Sequence, residues 1–478
     1  MRKGFLIWSI FLALLILFTA TPIFACTTII VGKELTKDGS VLVAHNEELG
    51  DNAAQIYTYV PRKVFEEGEV YTFLSGAAIP QPAETFAYIG SRIFDKEYYP
   101  GDFTTGINEY QVTVANNMAW TRDYADENDD PWEVNDNGVI WTEFTQLVLE
   151  RAKTAREGVI LMGYLVENYG LTGDPGTMYA IADPTEGWWI EIAQGGQWIA
   201  QRVPDNAASM RANTFRIGEV NLNDKQNVLY SPDLLKYAEE KGWYKPKDKK
   251  PFNFAQVYGD PKYLDHPNNI VRHEMIDGKL KEIGKNFTAR DLMKILRWHY
   301  EGTEMDKTDG YAISPHDRQA TGRRPVCNLS TEVSSVAQLR GWLPAEIGGV
   351  LWLNMGTPCS GVYIPYNMGT KEFALPFTEA ADKYSPDSAY WTFFDLTMMT
   401  DLNYEEFHEI VHSHWVAFEE NALALQPAVD TQALVLYRQR GTDAASDFLT
   451  WYSKALANQA FLDAKDLVFK LKTLLYMQ

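Results

Sequence analysis

An α+β fold is the class this sequence predicts, on three observations. Short β-type runs fill its first two thirds, and capped helical segments are interspersed among them. Everything beyond about Thr378 is rich in helix formers, poor in Gly and apolar at helical spacing. No internal repeat, low-complexity segment or linker divides the chain.

The first element is a leader. Arg2 and Lys3 precede an almost wholly apolar stretch over 4–20, then Thr21-Pro22 and the small residue Ala25. This is the anatomy of a secretory signal peptide over 1–25. An uncleaved anchor is the rival reading, since ~18 apolar residues can span a bilayer. Pro22 and the Ile-x-Ala ending favour cleavage, so a secreted or periplasmic protein is expected, with no stable membrane association afterwards.

Next come two β-type runs, Thr27–Val31 and 41–44, with the turn signal Lys37-Asp38-Gly39-Ser40 between them, which reads as a hairpin. A further strand is expected over 111–115. Thr142 is placed to cap a long helix ending near Tyr169-Gly170. Thr177–Ala182, Gly187–Ala193 and Gln197–Val203 form a meander joined by short turns. Thr288 caps a helix expected over 289–300, with Leu292, Ile295 and Leu296 on one face. The helical region 378–478 is expected to pack on the same body as 26–377.

Composition narrows the function. Of 478 residues 46% are hydrophobic and 14 are Trp, enough for a large core. The formal charge is −21, or −23 once Arg2 and Lys3 are removed. An acidic chain without a basic patch is a poor nucleic-acid binder. The three cysteines, Cys26, Cys327 and Cys359, make no disulfide scaffold. Either Cys327 and Cys359 pair, leaving Cys26 free, or both are buried unpaired thiols.

Cleavage after Ala25 would leave Cys26 with both a thiol and a free α-amine. An amine titrating near pH ~8 is a base for its own thiol, the requirement of a nucleophilic cysteine. An amide hydrolase built this way also needs donors for the oxyanion and polar groups to hold the amine. Asn116, Asn117 and Asn213 are candidate donors. His45-Asn46-Glu47-Glu48, at the end of the second run, supplies candidate polar groups.

Three stretches, Cys26-Thr27-Thr28-Ile29-Ile30-Val31-Gly32, Thr36-Lys37-Asp38-Gly39-Ser40 and Ala44-His45-Asn46-Glu47, resemble the start of the dipeptidase A family. These are cysteine peptidases of the N-terminal-nucleophile hydrolase superfamily. The likeness continues through Gly106-Ile107-Asn108-Glu109-Tyr110, Leu149 to Glu157, Ile181-Ala182-Asp183-Pro184, His299-Tyr300-Glu301-Gly302-Thr303 and Val336-Ala337-Gln338-Leu339-Arg340. It implies a four-layer αββα fold over 26–377, Cys26 as nucleophile, and hydrolysis of small peptides without metal or cofactor. Choloylglycine hydrolase and penicillin V acylase are more distantly similar. Where those relatives carry an Arg and an Asp, this chain has His45 and Glu48, implied to bind substrate or orient the amine. Asn116 or Asn117 matches the oxyanion position, Asn213 another polar site residue, and Arg324 is a candidate for a later arginine. A homo-oligomer stays open.

Three other motifs compete. His408-Glu409-Ile410-Val411-His412 spells a zinc-protease motif. Its histidines, however, lie at the polar edge of the stripe Phe407, Val411, His414, Trp415, Phe418, beside Glu405 and Glu419, so boundary histidines are expected. Asp126-Glu127-Asn128-Asp129-Asp130 suggests a calcium loop, but Pro131 and Asn137 stand where an EF-hand needs Gly and Glu. A solvated acidic loop, placed to attract a substrate's α-ammonium, is expected instead. Finally, a cysteine after a leader is also where lipid is attached, giving a non-enzymatic anchored protein. Phe24 and the strand directly after Cys26 argue against that. An amidase acting on acyl-amino acids or β-lactams is the other alternative.

Overall fold

The computed structural model describes residues 26–49, 53–94, 100–124, 137–246, 251–379 and 383–477. Residues 1–25, expected to be a leader, and the acidic run 126–130 lie outside the described residues. The strands in chain order begin with β1 (Thr27–Val31), β2 (Val41–Glu48) and β3 (Gln55–Val60). Two small ribbons follow, from β4 (Lys63–Val64), β5 (Val70–Thr72), β6 (Ala78–Pro80) and β7 (Glu84–Thr85). Then come β8 (Tyr88–Phe94), β9 (Pro100–Asn108), β10 (Thr113–Met118), β11 (Thr177–Ala182), β12 (Gly187–Ala193) and β13 (Gln197–Val203). The last are β14 (Ala208–Arg211), β15 (Val228–Tyr230), β16 (Thr331–Leu339), β17 (Gly349–Met355) and β18 (Ile364–Asn367).

They form a six-stranded sheet ordered β14-β1-β2-β16-β17-β18 and an eight-stranded one ordered β15-β13-β12-β11-β10-β9-β8-β3. Strands β1 and β2 are buried along their whole length, as nearly continuous apolar runs require. Their side chains alternate between two cores. Ile30, Val41 and Val43 face Met178, Ala180 and Ala182 of β11. Ile29, Val31, Leu42 and Ala44 face Ile276 and Leu280 of the Pro267–Ile283 helix and Leu292 and Ile295 of the Ala289–Leu296 helix. A third core joins Val114, Tyr179, Ile181 and Ile190 to Phe144, Leu147, Val148, Val159 and Met162 of two helices. Each Val, Leu, Ile, Phe or Met among them, fully buried, stabilises the fold by roughly 1.5–3 kcal/mol.

The fold is therefore α+β, as the sequence predicts, and the hairpin and all three meander strands fall where expected. Past 378 the chain forms helices Ala389–Leu402, Tyr404–Arg440 and Thr442–Met477. Phe407, Val411, Trp415, Ala460 and Ala464 share one core with Leu353, Ile364 and Tyr366 of β17 and β18. Among the described residues no helix is long and apolar enough to cross a membrane.

Three boundaries differ from expectation. The long helix expected from Thr142 is two, Trp141–Arg151 and Ala155–Asn168, and Thr142 does not cap the first but lies inside it, one residue past its start. Asn108 Nδ2 donates to the Leu149 and Ala152 carbonyls, and Thr154 with Asp183 caps the second helix, which stabilises the break. The helix capped by Thr288 ends at Leu296 rather than 300, ahead of a Tyr300 with φ of 73°. Strand β10 runs through Asn116 and Asn117 to Met118 instead of stopping before them.

Candidate active site

Pairing fixes which side chains meet Cys26. Thr27 lies opposite Asn46 and Thr28 opposite His45, so Cys26 is level with Glu47. Opposed residues share a face and successive ones alternate. Cys26, Thr28, His45 and Glu47 therefore line the face turned to the eight-stranded sheet, and Glu48 does not.

Their hydrogen bonds form one chain across both sheets. Asn117 Nδ2 donates to the Arg211 carbonyl at 3.3 Å, which turns its Oδ1 toward the Thr28 hydroxyl, the donor at 2.5 Å. Thr28 Oγ1 must then accept from His45 Nδ1 at 2.7 Å. His45 Nε2 shares a proton with Glu47 Oε2 at 3.0 Å, and Glu47 Oε1 accepts from the Cys26 thiol at 3.2 Å. Cys26, His45 and Glu47 are close enough to hold a metal ion together, but this chain already pairs each of their facing atoms.

With residue 25 still attached, the Cys26 nitrogen is an amide and supplies no base. Burial, then the charge and hydrogen bond of Glu47, push the thiol well up, with Arg324 and Arg272 pulling the other way. Behind it lies another buried acid. Burial pushes the Asp174 carboxyl well up, the Gly176 N–H opposes this, and the Glu47 charge adds to it.

Arg272, on the Pro267–Ile283 helix, is a residue of this candidate site that sequence reasoning missed. It is fully buried, and its Nη1 donates to the Cys26 carbonyl at 2.8 Å and to Thr27 Oγ1 at 3.2 Å. Its Nη2 donates to Asn213 Oδ1 at 2.9 Å and Asn269 Oδ1 at 2.8 Å. Asn213 is thereby oriented with its amide nitrogen outward, donating to the Met118 carbonyl at 3.0 Å. The available signal was helical spacing, which puts Asn269 and Arg272 on one face.

Two predicted site residues fall elsewhere. Glu48 pairs with Arg324 and accepts from Asn328 Nδ2 at 3.3 Å, so the carboxylate on the thiol is Glu47. Asn116 is paired with Tyr179, on the face packed by helices, and its buried Oδ1 has no hydrogen-bond partner among the described residues. Of the two asparagines, only Asn117 is turned to Cys26. His45 and Asn213 both join its network.

The remaining motifs also resolve. All three cysteines are free and buried, so Cys327 and Cys359 are unpaired thiols. His408 and His412 are half-buried, stacked on each other at 5.1 Å, and belong to no cluster of candidate metal ligands among the described residues. Glu419, expected at the polar edge, is instead buried against Arg297, and His414, expected on the apolar stripe, is exposed.

The model of peptidase family C69 matches residues 25–417, so the chain belongs to that family and is by membership a peptide hydrolase. The likeness to the dipeptidase A family therefore holds. A "Probable dipeptidase B" of Streptococcus pyogenes serotype M1 is 30% identical over 390 residues, covering 77% of each chain. A "Probable dipeptidase" of Latilactobacillus sakei is 26% identical over 463 residues, covering 91% of this chain and 89% of its own. Among solved structures, an alanine mutant of the conjugated bile acid hydrolase of Clostridium perfringens aligns with a TM-score of 0.33 at 14% identity. That alignment covers 75% of this chain and 97% of the other.

Proposed function

We propose that this peptidase is a secreted cysteine dipeptidase of the N-terminal-nucleophile type, made active by cleavage after Ala25. One observation carries the reading: Cys26 heads β1 with its thiol on Glu47 and its carbonyl on Arg272. Cutting the bond before it frees an amine next to a thiol whose surroundings are already built. The three stacked cores support the four-layer αββα arrangement of that class. The names of the relatives support dipeptides as substrate.

In this mechanism the α-amine, directly or through a water, takes the thiol proton, and the thiolate attacks the scissile carbonyl. The oxyanion is assigned to the amide of Asn117 or of Asn213, which Arg272 orients, together with a backbone N–H. The amine then protonates the departing amino group, and water hydrolyses the thioester. His45 and Glu47 hold the amine. The residues that do this work are all protein side chains or the terminus itself.

Mass spectrometry of the purified N-terminus, followed by a panel of dipeptides against acyl-amides, tests the reading. A free Cys26 terminus and turnover of dipeptides are expected. A lipid adduct on Cys26 would sink the enzyme outright, and turnover of acyl-amides alone would move the substrate class to amidase.

A further inference from the structure

Away from the active site, four side chains that the peptidase chemistry does not use come together. His299, His316, Cys327 and Cys359 are all buried, and their candidate ligand atoms lie within 4.8 Å of one another. The two Nε2 atoms are 3.2 Å apart. His316 Nε2 is 3.6 Å from Cys359 Sγ and 3.9 Å from Cys327 Sγ. A tetrahedral zinc with Zn–N of about 2.0–2.1 Å and Zn–S of about 2.3 Å has edges of roughly 3.3 Å between nitrogens. Its nitrogen–sulfur edges are roughly 3.6 Å. The observed spacings are those of such a tetrahedron.

The outer partners fit the same geometry. His299 Nδ1 is 2.7 Å from Glu301 Oε1, and His316 Nδ1 is 2.8 Å from Asp401 Oδ1. Each carboxylate accepts from an Nδ1–H, so both Nε2 lone pairs turn inward, the arrangement of metal-bound histidines. Two lone pairs facing at 3.2 Å repel unless a cation lies between them. A single shared proton would relieve the nitrogens but gives the two sulfurs nothing. Tyr404, buried against both cysteines, closes the far side. A cleft of about 440 Å³, lined by His299, Glu301, Tyr311, Cys359, His408 and His412 among others, reaches the cluster from the surface and offers an entry path.

We propose that His299, His316, Cys327 and Cys359 bind one zinc ion as a closed Cys2His2 site. With four protein ligands and no open position, its role is structural. The ligands come from the turn after the Ala289–Leu296 helix, the 314–317 turn, the segment before β16, and the β17–β18 connection. Zinc ties these four turns and connections to one another. Cys327 also lies between Val326, whose carbonyl accepts from Asn46 Nδ2 at 3.2 Å, and Asn328, which donates to Glu48. The same segment carries Arg324, the partner of Glu48. The metal thus fixes a segment that leans on strand β2, and the inference stands independently of which peptide the enzyme cuts.

The test is elemental analysis of the full protein, purified under reducing conditions without a metal column. Wild type and Cys26→Ala should each carry about one zinc per chain. Cys359→Ser and His316→Gln should carry less than about a tenth of that. If those variants do not fold, cobalt(II) added to reduced, metal-stripped wild type decides. A tetrahedral thiolate site gives intense visible bands and a sulfur-to-cobalt charge-transfer band. Wild type that neither holds zinc nor shows those bands overturns the proposal. So does a Cys327–Cys359 disulfide in the native protein, or metal lost from Cys26→Ala but kept by Cys359→Ser.

Discussion

Two buried clusters in this chain combine cysteine with histidine and carboxylate, and they treat sulfur in opposite ways. At Cys26, burial and the Glu47 carboxylate push the thiol up, and no imidazole nitrogen touches it. At Cys359, burial also raises the thiol, but the hydrogen bond from Cys327 and the charge of His316 hold it well below its usual range. Carboxylates are present in both places, and the order of the groups makes the difference. Glu47 faces its thiol directly, whereas Glu301 and Asp401 stand behind histidines that face theirs. A thiol kept neutral needs a base from elsewhere before it can attack. A thiol pulled down by its neighbours is closer to the thiolate that a metal binds.

Cys26→Ala separates the clusters most sharply. Correctly processed, it should lose at least ~1000-fold in kcat on dipeptides while keeping its zinc. Full activity in that variant would remove Cys26 as nucleophile. Next in size is zinc itself. A thousandfold excess over its Kd should stabilise the reduced, stripped wild type by about 4 kcal/mol, and Cys359→Ser not at all. Equal shifts in calorimetry would end the distinction. Arg272→Ala should cost about 3 kcal/mol through stranded buried acceptors and about 100-fold in kcat through a displaced Cys26. Arg272→Lys should recover little, because one ammonium cannot replace a two-handed fork.

The last two predictions concern charge alone. Glu47→Gln removes the charge that raises the thiol, so alkylation of Cys26 should have its midpoint at lower pH than in wild type. A midpoint that moves up would reverse the role given to Glu47. Asp174 is a group whose folded pKa is raised. Stability from its neutral form is full below its ordinary value near 3.8 and is lost as pH climbs toward the folded value. Asp174→Asn should therefore match wild type within about 1 kcal/mol at acid pH and pull ahead as pH rises. Urea midpoints at about pH 5 and about pH 8 check the sign.

What could be read from sequence was whatever depended on near neighbours. The meander strands are buried apolar runs bounded by turns, and Cys26 was singled out by its place behind the apolar stretch 4–20. What depended on distant residues was hidden. The break at Thr154 is stabilised by Asn108 and Asp183, one from a strand far upstream and one from a turn downstream. The choice between Glu47 and Glu48, and between Asn116 and Asn117, is a matter of strand register, which the hairpin turn alone left open. The Cys–His cluster is spread over the chain from 299 to 359 with no compact spacing to mark it.

The grip of Arg272 on Cys26 spans 246 residues of sequence. At translation rates of about 5–20 residues per second, roughly 12–50 s separate the synthesis of the two. For that interval Cys26 lacks the arginine that holds its carbonyl. Once the arginine arrives, residue 26 is buried on every side and its carbonyl is tied. If an outside peptidase frees Cys26, as proposed, the order of synthesis sets it a natural deadline: the cut comes before residue 272 closes over residue 26.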